Sequence, residues 1–247
     1  MLAFSLLGFL VDLKNTFEYG GIDLRNRVVG ARLLNRGMDP YYFKWSQGQD
    51  ERLLDPLDKP YIPVSRVTVP PTVLLLHSTF ANLPYFIQRV AWFLLQWGAF
   101  LTSLFILIAN VKKGIEIKLL LMLGLLFVSS NFWRIHTDVG QIYIFYILSL
   151  SLSYGLLQKE NSVKKFLAGC LIGLTASLRF PIILMTIPMI IFKEFKILGA
   201  TIFSFCLCLS ASVWMAGKQA WMSYFSAMQT IGKLNIGKIS LSTNTEN

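Results

Sequence analysis

Apolar residues in this chain arrive in runs, and short polar knots separate them. Met1–Val11 is the first run. It is 11 residues long, short of the ~20 that span a bilayer, and reads as a clipped first span or an anchor. A polar stretch follows up to about Pro70, punctuated by Pro40, Pro56, Pro60, Pro63, Pro70 and Pro71. Thr72–Leu83 is apolar but short, which predicts an interfacial or re-entrant helix ended by Pro84. Six further runs then predict crossings: Tyr85–Val111, Lys118–Trp133, Ile142–Leu157, Phe166–Leu178, Ile182–Phe192 and Ile197–Ala216, with a polar end over Gly217–Asn247. Several of these runs are shorter than a full span. Such helices are tolerated where they pack inside protein or line a cavity.

The polar stretch contains one clear element. The spacing predicts a cationic helix over Ile22–Arg36, stopped by Gly37 with Pro40 just beyond. Farther on, Gly169, Gly173 and Ser177 recur every fourth residue and predict a close helix–helix approach.

Composition agrees with a membrane protein. Hydrophobic residues make up 54% and charged residues 15%, with a mean hydropathy of +0.55; soluble domains carry about a quarter charged. The net charge of +10 does not point to nucleic acid, because the lysines sit between apolar runs rather than on one face. Cys170, Cys206 and Cys208 lie in apolar segments with neither disulfide nor metal spacing. Basic residues also predict an orientation. Lys112, Lys113, Lys118, Lys159, Lys164, Lys165, Lys193 and Lys196 fall in one set of loops, which is therefore cytoplasmic. A non-cytoplasmic first loop over residues 14–70, His136–Gln141, Arg179 and the Trp221 region then share the opposite face.

The unusual polar residues collect on that outer face. Asp23 reads as a helix N-cap, as a fixed carboxylate able to accept a proton, or as both. Arg25, Arg32 and Arg36 fall at i, i+7 and i+11 on one stripe, and Arg27 lies four residues after Asp23. The stripe meets either lipid headgroups or a substrate phosphate. Asp39, in Gly37-Met38-Asp39-Pro40-Tyr41, is a turn residue first. His136, Asp138 and Gln141 share a membrane edge but lack a third metal ligand. Arg179 stands in an otherwise apolar stretch, where an arginine either snorkels to the interface or functions. His77 reads as structural, and Trp221, Tyr224 and Phe225 as an interfacial aromatic belt. Neither a nucleotide-binding loop nor a Ser/His/Asp nucleophile set is present.

The ordered set of motifs resembles membrane glycosyltransferases of the GT-C fold, and within them glycosyltransferase family 87, the polyprenol-phosphate-mannose-dependent group. The motifs are Asp23-Leu24 through Asp39-Pro40-Tyr41, Val69-Pro70-Pro71, Leu83-Pro84, Gly140-Gln141, Ala168-Gly169 through Gly173-Leu174, and Arg179-Phe180-Pro181, across roughly residues 20–230. The resemblance implies an all-α, polytopic integral membrane protein: one GT-C-type helical bundle over residues 1–247 with a helical first outer loop. It implies a hexosyltransferase that moves a sugar, mannose-like, from polyprenyl phosphate to a glycan or glycolipid hydroxyl with inversion. Asp23 would be the catalytic base, with Arg25, Arg27, Arg32, Asp39, Tyr41, His136, Gln141 and Arg179 as substrate contacts and no metal or cofactor besides the lipid-linked donor. It further implies a bacterial inner or plasma membrane with the site facing outward. Arg179 departs from the family pattern, where lysine is the usual basic residue before the proline. Family members are generally longer, so a fragment or a short member is expected. Broken helices keep a transporter or flippase-like protein, or a non-catalytic subunit of a membrane enzyme, as the alternatives.

Overall fold

The computed structural model describes residues 2–53, 67–158 and 161–243. Pro56, Pro60 and Pro63 of the expected loop, and Lys159, lie outside them. Among the described residues every regular element is helical: α1 (Leu2–Tyr19), α2 (Ile22–Asn35), α3 (Pro71–Ser78), α4 (Tyr85–Ala109), α5 (Gly114–Ser129), α6 (Asn131–Asp138), α7 (Tyr143–Leu157), α8 (Ser162–Leu178), α9 (Thr186–Ile191) and α10 (Phe195–Thr243), with 3-10 turns at Glu51–Leu53 and Phe180–Met185. α4 and the Phe195–Thr230 part of α10 are long and apolar enough to cross a membrane, and α5 with α6 adds a third span if that bent pair counts as one. This is fewer than the six crossings that the apolar runs predict. α7 and the Phe180–Ile191 stretch are shorter apolar helices.

Three boundaries differ from expectation, each for a local reason. α1 continues through Asp12, Lys14 and Glu18 to Tyr19, past the expected start of the outer loop. Its polar side chains are accommodated: Asp12 is 3% exposed and accepts the indole N–H of Trp133 at 2.9 Å. The Lys118–Trp133 run is not one helix. It bends by 57° between α5 and α6, because the Ser130 hydroxyl accepts the Trp133 N–H at 3.2 Å and starts a new helix there. The described residues after Gly217, up to Thr243, are helical, whereas the sequence reads Gly217–Asn247 as a polar end; within α10 Gly217 is non-helical, at φ 81 and ψ 150.

The chain forms two compact units. The first comprises residues 1–25 and 83–209, the second residues 26–82 and 210–247. The unit boundary therefore falls within α2 and again within α10. In the first unit Phe93, Trp97, Val128, Trp133 and Ile144 make an aromatic-rich core. There α8 packs directly on α10 through the predicted small residues. A Cβ on Gly173 would stand 2.2 Å from the Thr201 carbonyl oxygen, so no side chain fits. That proximity lets Thr201 Oγ1 reach the Gly169 carbonyl at 3.1 Å and Ser204 Oγ the Cys170 carbonyl at 2.9 Å.

In the second unit Tyr41, Val67, Leu74 and Ala227 form one cluster and Val29, Leu33 and Leu53 another. Gly30 lets α2 lie against Val67 and Leu74 there, both 3.0 Å from an added Cβ. Trp221 is buried in this unit, its ring against Tyr224 and Phe225, so it does not serve as an exposed belt residue.

Two helix ends use the same device. Gly37 (φ 68) ends α2 and Gly140 (φ 72) ends α6 in left-handed conformation. At each, two backbone bonds close the helix: Met38 N to Leu33 O and Gly37 N to Leu34 O, both 3.0 Å, and Gln141 N to His136 O at 2.9 Å and Gly140 N to Thr137 O at 3.1 Å. These are Schellman ends.

Candidate active site

The Schellman turn of α6 is what positions Asp23. Its Val139 carbonyl accepts the backbone N–H of Asp23 at 2.9 Å and of Leu24 at 3.3 Å. The end of one helix thus satisfies orphan N–H groups at the start of another. Of the readings open to Asp23, the N-cap is not the one realised. It lies inside the first turn of α2, and Val139 supplies the cap from a distant element. The Asp23 side chain is left for another partner. Gln141 Nε2 donates to Asp23 Oδ2, a contact between residues 118 apart in sequence. An amide N–H suits an ionised carboxylate, which only accepts. Gly140 has to be glycine here: besides its positive φ, an added Cβ would stand 2.8 Å from Leu24 Cβ.

Other predicted residues continue from this pair within the first unit. Gln141 donates its backbone N–H to the His136 carbonyl. The His136 ring is buried, stacked on Trp133 with centroids 5.6 Å apart, and faces the Tyr143 ring at 6.3 Å. The Arg179 guanidinium lies over that same Tyr143 ring, 5.4 Å from its centroid. Arg179 is exposed and stands at the end of α8. Arg25 is buried in this unit. Asp23, Gln141, His136 and Arg179 are thus linked by successive contacts, with Tyr143 as an intermediate that the sequence reading does not single out.

The remaining candidates belong to the second unit. Arg27 is 2% exposed, so it faces protein rather than bulk headgroups. Arg32 donates from Nε to the Ala81 carbonyl at 2.7 Å and from Nη1 to the Arg52 carbonyl at 2.8 Å. Arg36 pairs with Asp50 at 2.5 Å. Asp39 is a turn residue, as expected: Oδ1 accepts the N–H groups of Tyr41 and Tyr42 at 2.8 and 3.3 Å, and Oδ2 accepts the Ser223 hydroxyl at 2.5 Å. Tyr41 is buried and donates its hydroxyl to the Val69 carbonyl at 2.9 Å. Burial raises its phenol pKa, with Tyr224 and Asp39 adding to the effect. His77 is buried too. Desolvation, then the positive Arg27, pushes its imidazole down to about 3, and the neutral ring matches its structural reading. Among the described residues no group of three His, Cys, Asp or Glu is placed to hold a metal ion.

Described residues whose regular elements are all helical, with membrane-length apolar helices and a carboxylate held by a distant side-chain amide, define a polytopic membrane protein with a polar site. Residues 68–246 match the family model described as glycosyltransferase family 87. The chain belongs to glycosyltransferase family 87, and is a membrane glycosyltransferase. No curated protein and no solved structure matches it. The matched stretch contains His136, Gln141 and Arg179, whereas Asp23 and α2 precede it.

Proposed function

We propose that this glycosyltransferase adopts the GT-C arrangement. In this reading it transfers a hexose, mannose-like, from polyprenyl phosphate to a hydroxyl of a glycan or glycolipid, on the non-cytoplasmic face of a bacterial inner or plasma membrane. The acceptor oxygen gives its proton to Asp23 and attacks the anomeric carbon. The bond from that carbon to the phosphate oxygen breaks with inversion, and polyprenyl phosphate leaves with the electron pair. No metal or further cofactor enters this scheme. Arg179, and Arg25 on α2, are the charges assigned to the departing phosphate, since a positioned cation favours charge that develops in the transition state. Gln141 fixes the rotamer of Asp23, and His136 supports the turn that carries Gln141. Arg27, Arg32, Asp39 and Tyr41 are proposed as substrate contacts on the family resemblance alone, the contacts they make here being internal to the second unit.

The observation that carries the reading is the Asp23–Gln141 hydrogen bond, because it joins the proposed base to the family-matched stretch. The test is transfer of labelled sugar from polyprenyl phosphate in membranes containing the wild-type chain or Asp23→Asn. Transfer should fall by roughly 10²–10⁴-fold, the span of general-base contributions. Unchanged transfer at equal expression would remove Asp23 as the base. Transport of the lipid-linked sugar without transfer would favour the flippase-like alternative, to which the 57° break between α5 and α6 also lends itself.

A further inference from the structure

The helix that follows α3 carries polar residues on one face that neither the family match nor the proposed reaction explains. Tyr85, Arg89, Trp92 and Gln96 occupy i, i+4, i+7 and i+11 of α4, which places them on a single stripe. Arg89 is 3% exposed and Gln96 0%. A charge so deeply buried is costly unless it is paired.

Each of the four side chains donates to backbone in one small region. The Tyr85 hydroxyl reaches the carbonyls of Gly20 and Gly21, in the turn just before Asp23. The Arg89 fork spans the last carbonyls of α6, Nη1 to Thr137 and Nη2 to Asp138, both at 3.0 Å. Trp92 Nε1 donates to Gly140 O at 3.0 Å, and Gln96 Nε2 to Gln141 O at 2.9 Å and His136 O at 3.3 Å. With Val139 taken by α2, every carbonyl from His136 to Gln141 has a donor. Positive charge at a helix C-terminus is also favourable against the helix dipole. Arg89 lies between both glycine turns: a Cβ on Gly21 would stand 3.0 Å from its Nε, and one on Gly140 3.4 Å from its Nη1.

We infer that this α4 stripe sets the separation of Asp23 and Gln141, with Arg89, Trp92 and Gln96 as positioning residues for the proposed base. The inference rests on the reading of Asp23 as base, but its geometric part does not. One rigid helix face holds the turn before Asp23 at one end and the turn bearing Gln141 at the other. Loss of any donor loosens one turn against the other, without removing a group that touches substrate.

Two measurements test it together. The first places a cysteine pair, Asp23→Cys with Gln141→Cys, in a chain whose Cys170, Cys206 and Cys208 are replaced by alanine. Cross-linking yield with a short bis-methanethiosulfonate is then compared with and without Trp92→Phe, Gln96→Leu or Arg89→Lys. The second assays transfer for the same three variants alone and combined with Gln141→Ala. The inference expects a lower cross-linking yield. It expects kcat lower by on the order of a hundredfold, the cost of an ångström-scale misplacement, at little-changed KM for the lipid donor. It also expects no further loss in the Gln141→Ala background. Gln96→Leu nearly conserves volume and Trp92→Phe keeps an aromatic ring without the donor, so both keep the test valid should Arg89→Lys fail to fold. Unchanged cross-linking overturns the inference whatever the activity, and so do losses that simply add to that of Gln141→Ala. Reduced cross-linking alongside full transfer by Asp23→Asn leaves the geometry standing and removes the base.

Discussion

Asp23 and Asp39 lie 16 residues apart, and the fold treats them differently. Asp39 is bound mainly by its own turn, through the Tyr41 and Tyr42 N–H groups, with the Ser223 hydroxyl fastening the turn to α10. Asp23 contributes its backbone N–H to Val139, yet its carboxylate meets a side-chain amide from 118 residues away. Asp39 takes two backbone donors from its own turn, so it chiefly builds local structure that Ser223 then ties to α10. The Asp23 carboxylate accepts from an amide whose own backbone is anchored in the turn after α6, which orients it toward that turn. The difference separates two residues that look alike in sequence, each being an aspartate at the edge of one short helix.

The comparison is most easily broken at Asp23 itself. Asp23→Asn keeps the shape and an acceptor oxygen, so folding should be retained while transfer falls by the roughly 10²–10⁴-fold range of a lost base; transfer per folded molecule is the readout. Gly140→Ala comes next. The left-handed conformation costs a non-glycine residue about 1–2 kcal/mol, and the added methyl meets Leu24 Cβ at 2.8 Å. Melting in detergent should show the stability loss, and transfer should fall with it because Gln141 shifts.

Two residues of the second unit, His77 and Ser223, sharpen the contrast with effects on stability alone. Because His77 is held down at about 3 when folded, against an ordinary 6.5, the unfolded imidazole takes up a proton that the folded one refuses. The stability associated with this residue is full above about 6.5 and declines as pH falls toward about 3. Denaturation midpoints at pH 7 and pH 5 should draw closer together in His77→Gln than in the wild type; an identical gap in both would count against a neutral buried histidine. The smallest effect belongs to Ser223→Ala, which removes one donor from Asp39 and should cost about 1 kcal/mol. Its specific transfer activity should match that of the wild type, and a large activity loss there would erase the distinction between the two aspartates.

Much of the local chemistry was legible in the sequence. Helix α2 starts at the expected residue and stops at the expected glycine, since caps and Schellman ends depend on neighbours in the chain. The Gly169–Gly173 spacing likewise announced a close helix contact, and the structure places α10 there. What escaped was tertiary. Nothing near Asp23 in sequence says that Val139 will cap its helix, which is why a capping role for Asp23 itself looked natural. The Lys118–Trp133 run read as one crossing, although Ser130 within it starts a new helix. Arg89 is the clearest omission. The argument that an arginine among apolar residues marks function applies to it as well as to Arg179, and the Tyr85, Arg89, Trp92, Gln96 spacing was there to be counted. It was hidden because α4 is apolar enough on its remaining faces to pass for a plain span.

The contact of the turn after α6 with the first residues of α2 has a consequence in time. Asp23 leaves the ribosome more than a hundred residues ahead of Val139 and Gln141, which cap its helix and hold its carboxylate. Synthesis runs from the N-terminus, and contacts of such long sequence separation form late. The nascent chain therefore carries its proposed base unassembled through most of membrane insertion. Competence arrives only once α4, α6 and the start of α7 are in place, so an interrupted chain would be inert rather than unregulated.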